Sequence, residues 1–104
     1  MRLAVGAAVI SLALVGCGSS NVIAGFVIDV KSSSLTEIDS FTLRTTDGET
    51  VTFRIDELEL DDGAFPAIHL REHMALNQPV AVAFREEGGE KVAYRLKDAP
   101  WLQP

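Results

Sequence analysis

Two histidines four positions apart are the residues with the clearest capacity for chemistry in this chain of 104 residues. They belong to the segment His69-Leu70-Arg71-Glu72-His73. On a helix His69 and His73 lie on one face, so both imidazoles can point toward one metal ion, with Glu72 available as a base. A catalytic zinc site usually has three protein ligands. The segment therefore makes His69, Glu72 and His73 candidates for a metal site, in which the two histidines would need a third, acidic ligand.

The same five residues match H-x-x-E-H and in this respect resemble the inverzincin metallopeptidases. That resemblance implies zinc-dependent peptidase activity, but it covers only these five residues. The family carries its third ligand in a catalytic domain far larger than Cys17–Pro104, so we expect no enzyme activity, no catalytic residue and no cofactor. The competing interpretation is a solvated helix face. In it His73 lies hydrogen-bonded at the edge of the apolar face, and His69 and Glu72 point outward.

An acidic run, Asp56-Glu57-Leu58-Glu59-Leu60-Asp61-Asp62-Gly63, suggests calcium binding. An EF-hand loop needs glycine at its sixth position and glutamate at its twelfth. Counted from Glu57, Gly63 falls one position late and Ile68 occupies the twelfth position. The alternation of acidic residues with Leu58 and Leu60 instead predicts a strand with one acidic, solvated face. Weak binding of a divalent cation is the alternative.

Cys17, the single cysteine, follows a segment with the features of a secretion signal. Arg2 precedes the uncharged run Leu3–Val15, which is short for a membrane span and typical of a signal-peptide core. The residues Leu14-Val15-Gly16-Cys17 resemble the lipobox of bacterial lipoproteins. That resemblance implies that the signal peptide Met1–Gly16 is removed, with cleavage between Gly16 and Cys17, and that Cys17 is lipidated. The alternative is an ordinary signal peptide with an incidental cysteine.

The net charge limits the partners that such an anchored chain can have. The whole chain carries −6, and loss of Arg2 with the signal peptide leaves −7 on the remaining 88 residues. An acidic domain is repelled by nucleic acid and by anionic lipid headgroups. We therefore expect no nucleic-acid binding, and a membrane attraction supplied by the acyl chains on Cys17. The expected location is the cell membrane or the outer membrane, outside the cytoplasm, and the expected partner is an envelope protein, a glycan or a small ligand.

Alternating apolar residues predict five strands, and a spacing of three and four predicts one helix. Pro66 is suited to the first turn of this helix, Ala67, Leu70 and Met74 form its apolar face, and Asn77 ends it. The Asp47-Gly48 pair predicts a hairpin, and Gly25 predicts a bend or a bulge in the first strand. The predicted strands are Val22–Lys31, Phe41–Thr46, Val51–Ile55 with an extension toward Leu60, Val80–Phe84 and Val92–Leu96.

The resulting order, β-β-β-α-β-β, predicts a mainly β fold with one helix. It is the element order of the OB-fold, a small five-stranded Greek-key barrel. The alternative is an open α+β sheet with the helix on one face. We favour the barrel, because closure removes the edges that a short chain cannot cover. The stretch Phe65–Asp98 also resembles small β-barrel domains of uncharacterised bacterial exported proteins, a resemblance that implies no particular activity.

The predicted domain organisation is a signal peptide at 1–16, a lipidated cysteine and tether at 17–21, an OB-like barrel at 22–98 and a tail at 99–104. In the tail Trp101 is expected to cap the barrel, with exposure to a partner as the alternative. The sequence thus predicts a lipid-anchored, non-enzymatic binding or accessory module of the cell envelope. The alternative function is an envelope metal-binding protein that uses His69, Glu72 and His73.

Overall fold

A computed structural model describes residues 21–102 of the chain. The predicted signal peptide (Met1–Gly16), Cys17 and all of the predicted tether except Asn21 lie outside the described residues. Within them the chain is mainly β with a single helix, as predicted. Its elements are β1 (Asn21–Lys31), β2 (Ser40–Arg44), β3 (Thr50–Ile55), α1 (His69–Leu76), β4 (Val80–Glu87) and β5 (Glu90–Asp98). No helix in this range is long and apolar enough to cross a membrane.

The five strands form a closed barrel in the order β1-β2-β3-β5-β4, with β4 pairing back to β1. The β3–β5 pair is parallel and the other neighbours are antiparallel. The prediction of a small OB-like barrel is therefore confirmed, and the open sheet was the wrong alternative. β1 closes the barrel by pairing with β4 through Asn21–Gly25 and with β2 through Phe26–Lys31.

Gly25 marks the point at which β1 changes its pairing partner. Gly25 lies opposite Val80 of β4, whereas the next residue, Phe26, lies opposite Arg44 of β2. A Cβ atom at position 25 would lie 2.5 Å from the carbonyl oxygen of Arg44. Glycine is therefore needed here because the backbone of β2 approaches closely. The irregularity in the pairing of β1 with β2 lies further along the strand, between Val27 and Asp29.

The barrel interior is filled by apolar side chains from every strand. The rings of Phe41 and Phe53 stack at 5.2 Å between centroids, and Phe84 meets Phe53 edge-on at 5.3 Å. Such offset and edge-on contacts are favoured geometries for aromatic pairs. The alternating sequence pattern thus assigned the inward faces of β2, β3 and β4 correctly.

The helix begins later than the sequence predicts. α1 starts at His69, and Pro66 lies in a tighter turn before it, where the amide of His69 bonds to the Pro66 carbonyl at 3.0 Å. The buried residues of α1 are Leu70 and His73, whereas Met74 is 37 % exposed. The prediction that Met74 belongs to the apolar face was wrong, because this eight-residue helix contacts the barrel through positions three apart.

The end of the helix follows the prediction. Asn77 adopts the left-handed conformation (φ 53°, ψ 46°), which ends the helix. The amide of the next residue, Gln78, bonds to the His73 carbonyl at 2.9 Å, so the last turn is closed by backbone groups.

Two further predictions were wrong. β3 ends at Ile55, and its extension toward Leu60 does not form. Instead the amide of Glu59 bonds to the carbonyl of Tyr94 in β5 at 2.8 Å. Trp101 does not cap the barrel, since 66 % of its surface is exposed. In the same segment Ala99 is buried, and its amide donates a hydrogen bond of 3.2 Å to the carbonyl of Pro79.

Candidate functional site

His73 lies buried between the helix and the end of β5. Its Nδ1 is 2.9 Å from the carbonyl oxygen of His69, and its Nε2 is 2.7 Å from Oδ1 of Asp98. The imidazole stacks on Phe65 with 4.4 Å between ring centroids and 17° between planes. Both polar partners of the ring are oxygen atoms, and which ring nitrogen donates depends on the tautomer. The ring thus joins α1, β5 and the turn before the helix.

The other two residues of the predicted metal site are not buried with His73, although the His69 ring lies 6.0 Å from the Phe65 ring between centroids. His69 and Glu72 are exposed, while His73 is buried. Among residues 21–102 no three His, Cys, Asp or Glu side chains come together in an arrangement suited to a metal ion. Each ring nitrogen of His73 is already in contact with an oxygen atom, so a metal ion would have to displace one of these contacts. The metal site stays a prediction, without an assembled set of ligands in the described part of the chain.

Part of the acidic run has a structural partner. The guanidinium Nη2 of Arg95 bonds to Oε1 of Glu59 and lies 3.3 Å from Oδ1 of Asp61. These contacts fasten the chain that follows β3 against β5. The remaining acidic residues of the run, Asp56, Glu57 and Asp62, form no ion pair in the described region. Two carboxylates of the acidic run are therefore neutralised by Arg95, while the other three are not.

A groove opens at the end of the barrel where the helix begins, and we call it the terminal groove. It has a volume of about 460 Å³. Three segments form it: the loop before β2, the chain after β3 and the turn before α1. Its apolar surface comes mainly from Ile55, Leu58, Leu60, Pro66, Ala67 and Ile68.

Backbone hydrogen bonds hold the walls of the terminal groove. The amide of Asp39 bonds to the carbonyl of Lys31, and the amide of Ile55 bonds to the carbonyl of Asp39, both at 2.9 Å. The Glu59–Tyr94 bond fixes the second wall against β5. Because these bonds tie the walls to three strands, the groove is formed before any ligand arrives.

Several apolar side chains at the terminal groove remain in water. Leu60 is 60 % exposed and Ile68 is 38 % exposed, and both line the groove. Leu35 is 91 % exposed and lies next in sequence to the lining residue Thr36. Single exposed apolar residues are common, but apolar side chains gathered in a concave site are typical of a binding surface.

The charged side chains that line the terminal groove are all acidic. They are Glu37, Asp39 and Asp56, and no lysine or arginine lines it. Glu37 and Asp56 take part in no ion pair within the described range, and Asp39 accepts a hydrogen bond from Ser33 Oγ at 3.3 Å. The groove therefore combines an apolar surface with negative charge that the described residues do not neutralise.

A larger cavity of about 1060 Å³ lies where β3 and β5 separate. Its charged side chains have mixed sign, and Arg54 is already paired with Glu90 at 3.0 Å. Arg54 also lies 3.7 Å from Glu87. The charged side chains of the terminal groove carry a single sign, so it offers a clearer electrostatic preference to a ligand than this mixed cavity. We therefore regard the terminal groove as the better candidate.

Comparisons with protein-family models, with curated proteins and with solved structures gave no match. The site therefore rests on its own geometry. Sequence reasoning located Leu58 and Leu60 but assigned them to a strand, and it did not find the groove. The signal that could have revealed it is Leu35, an isolated large apolar residue in an otherwise polar loop.

Proposed function

We propose that this protein is a lipid-anchored protein of the cell envelope whose barrel serves as a non-enzymatic binding module. The observation that carries the binding role is the terminal groove, which is preformed, apolar and lined by unpaired acidic side chains. The anchor rests on the lipobox-like residues Leu14-Val15-Gly16-Cys17. The cleavage after Gly16 and the lipid on Cys17 belong to this proposal.

The course of β1 supports an outward orientation of the groove. The chain enters the barrel at Asn21, opposite Phe84 of β4, and reaches the loop that forms one wall of the groove only after Lys31. An 11-residue strand covers up to about 33 Å, less where it bends. A tether at the start of β1 would hold one end of the barrel near the bilayer and present the groove at the other end. The partner would then be met a few nanometres from the membrane.

The anchor is tested by labelling growing cells with radioactive palmitate and measuring the intact mass of the mature protein. We expect label and the mass of acyl chains on a protein that begins at Cys17, and neither in the Cys17→Ser variant. Inhibition of lipoprotein signal peptidase with globomycin should cause the precursor to accumulate. A mature protein with an unmodified Cys17 would disprove the anchor.

The binding role is tested by purifying the native lipidated protein after mild cross-linking in cells. We expect a specific envelope component to be retained by the wild type and lost in the Leu60→Ser/Ile68→Ser variant. Leu76→Ser is the matched control, because Leu76 is 58 % exposed, close to the 60 % of Leu60, but lies at the other end of α1. Equal recovery by all variants would show that the groove is not the binding surface.

A further inference from the structure

We infer that the terminal groove binds an extended, basic peptide segment with apolar side chains, supplied by another protein of the envelope. This inference rests on the proposed function and adds the chemical class of the partner. Three properties of the groove lead to it: its size and apolar surface, its uncompensated charge and the free backbone groups along one wall.

The size of the groove favours a segment over a folded surface. A volume of about 460 Å³ lies within the range of clefts that take ligands of a few side chains. Leu60 and Ile68 present partly exposed apolar surface inside this space. A partner gains most by placing one or two aliphatic or aromatic side chains against them, since that contact removes apolar surface of both molecules from water.

The charge of the groove favours a basic partner. Glu37, Asp39 and Asp56 line it without a lysine or arginine among the lining residues. Lysine or arginine on both sides of an apolar anchor would meet these carboxylates at the rim, and complementary charge of this kind speeds association and selects partners. A second copy of this chain is disfavoured as the occupant, because its net charge is −6 as well.

The backbone along one wall favours an extended conformation. Between Asp56 and Leu60 the chain is neither helix nor strand, and Glu59 supplies the only amide of this stretch that forms a backbone hydrogen bond in the described residues. The amides of Leu58 and Leu60, two residues that line the groove, thus form no backbone hydrogen bond in the described part of the chain. An extended peptide can pair with such groups while its alternate side chains enter the groove, as in binding by strand addition.

The test uses the mature lipidated protein in nanodiscs of zwitterionic phosphatidylcholine, with empty nanodiscs as the blank. The probe is a fluorescein-labelled nonapeptide in which two leucines at alternate positions are flanked by four lysines and the other residues are serine. One control peptide replaces the leucines by serine, and another replaces the lysines by glutamate. Fluorescence anisotropy should give a Kd at least about tenfold lower for the probe than for either control peptide.

Variants of the protein separate the two contributions. Leu60→Ser/Ile68→Ser should raise the Kd of the probe about tenfold or more, because the apolar contact is lost. Glu37→Gln/Asp56→Asn should raise it about fivefold and reduce its dependence on salt concentration. The matched controls are Leu76→Ser and Glu49→Gln/Glu72→Gln, which change exposed residues outside the groove and should leave the Kd unchanged.

Equal affinity for all three peptides, or equal effects of the groove and control variants, would overturn the inference. Absence of binding would also overturn it. If the cross-linking experiment still retained a partner through Leu60 and Ile68, the binding role of the groove would stand and only the peptide class would fall. Self-association in sedimentation velocity that is abolished by Leu60→Ser/Ile68→Ser would overturn the inference in favour of a second copy.

Discussion

The two ends of the helix meet the barrel in different ways. Toward its C-terminal end His73 is enclosed by Phe65 and Asp98, and each of its ring nitrogens has a partner within 2.9 Å. Before its N-terminal end Ile68 stands at a groove whose apolar and acidic groups remain exposed. At one end the side chains are satisfied by contacts within the chain, which we call the closed end. At the other, the open end, apolar and acidic side chains remain exposed to solvent.

This difference separates residues that hold the fold from residues that are free to bind. A buried polar group stabilises a protein when its hydrogen bonds are complete, and it then has little capacity for a ligand. Exposed apolar side chains in a concave site contribute little to folding and have much to gain from a partner. The histidine motif is the clearest candidate site in the sequence, yet in the structure the terminal groove is the better candidate for a binding site.

The largest expected effect on stability concerns β1, the strand of the barrel that α1 contacts. Gly25→Ala should lower the free energy of unfolding by about 3 kcal/mol, because its Cβ would lie 2.5 Å from the Arg44 carbonyl oxygen and the backbone would have to move. Urea unfolding followed by circular dichroism measures this loss.

Gly63→Ala is the matched control for this substitution. Gly63 has a φ of +83°, but no heavy atom lies within 4 Å of a Cβ built there. It should therefore cost only the backbone strain, about 1 kcal/mol. Equal losses of unfolding free energy in the two variants would show that the close approach of Gly25 to Arg44 does not contribute to stability.

The next largest effect tests the closed end directly. His73→Ala should destabilise the protein by about 2–3 kcal/mol, because it removes a buried ring that packs on Phe65 and loses the hydrogen bond that joins α1 to Asp98 of β5. His69→Ala should cost less than about 0.5 kcal/mol, since His69 is exposed. Urea titrations of both variants compare the two histidines. A loss of stability that was the same at both positions would contradict the structural role of His73.

The open end should respond in the opposite way. Leu60→Ser/Ile68→Ser should change the free energy of unfolding by less than about 0.5–1 kcal/mol, because both side chains are already partly in water. Thermal unfolding beside wild type and His73→Ala measures the contrast. A loss as large as that of His73→Ala would show that these residues belong to the core, and the terminal groove would no longer be a surface free for binding.

Much of the fold follows from sequence patterns that operate over short distances. Alternation of residues such as Phe41, Leu43 and Phe53 assigned the strands and their inward faces, and Asp47-Gly48 marked a hairpin in which Gly48 has a φ of +90°. Asn77 marked the end of the helix. These signals depend on neighbours in the chain, so one sequence was sufficient to predict the order of elements and, from it, the barrel.

The candidate site could not be predicted in the same way, because it depends on contacts between distant segments. The pattern at Leu58 and Leu60 is that of a strand, and only the position of β5 shows that the chain leaves β3 at Ile55. The partner of His73 is Asp98, 25 positions away, and no local pattern relates them. Met74 was misplaced for the same reason, since the barrel decides which side of a short helix is covered.

The smallest expected effect concerns the turn at Asp47, which lies at neither end of the helix. It measures how much an exposed polar contact contributes to the free energy of unfolding. Asp47 accepts a hydrogen bond from the Thr45 hydroxyl and one from the Glu49 amide, and these lower its pKa from 3.8. A carboxylate whose pKa is lower in the folded state stabilises the protein above its unfolded pKa and loses this effect as pH falls through the folded value. Asp47→Asn should therefore be slightly less stable than wild type at about pH 6, and the difference should shrink below pH 3.8.

Urea midpoints of both proteins at about pH 6 and below pH 3.8 measure this difference. Thr45→Ala, which removes the hydrogen bond that lowers the pKa of Asp47 most, should weaken the pH dependence. A difference that is constant with pH would show that the turn is stabilised by its backbone and not by the charge of Asp47.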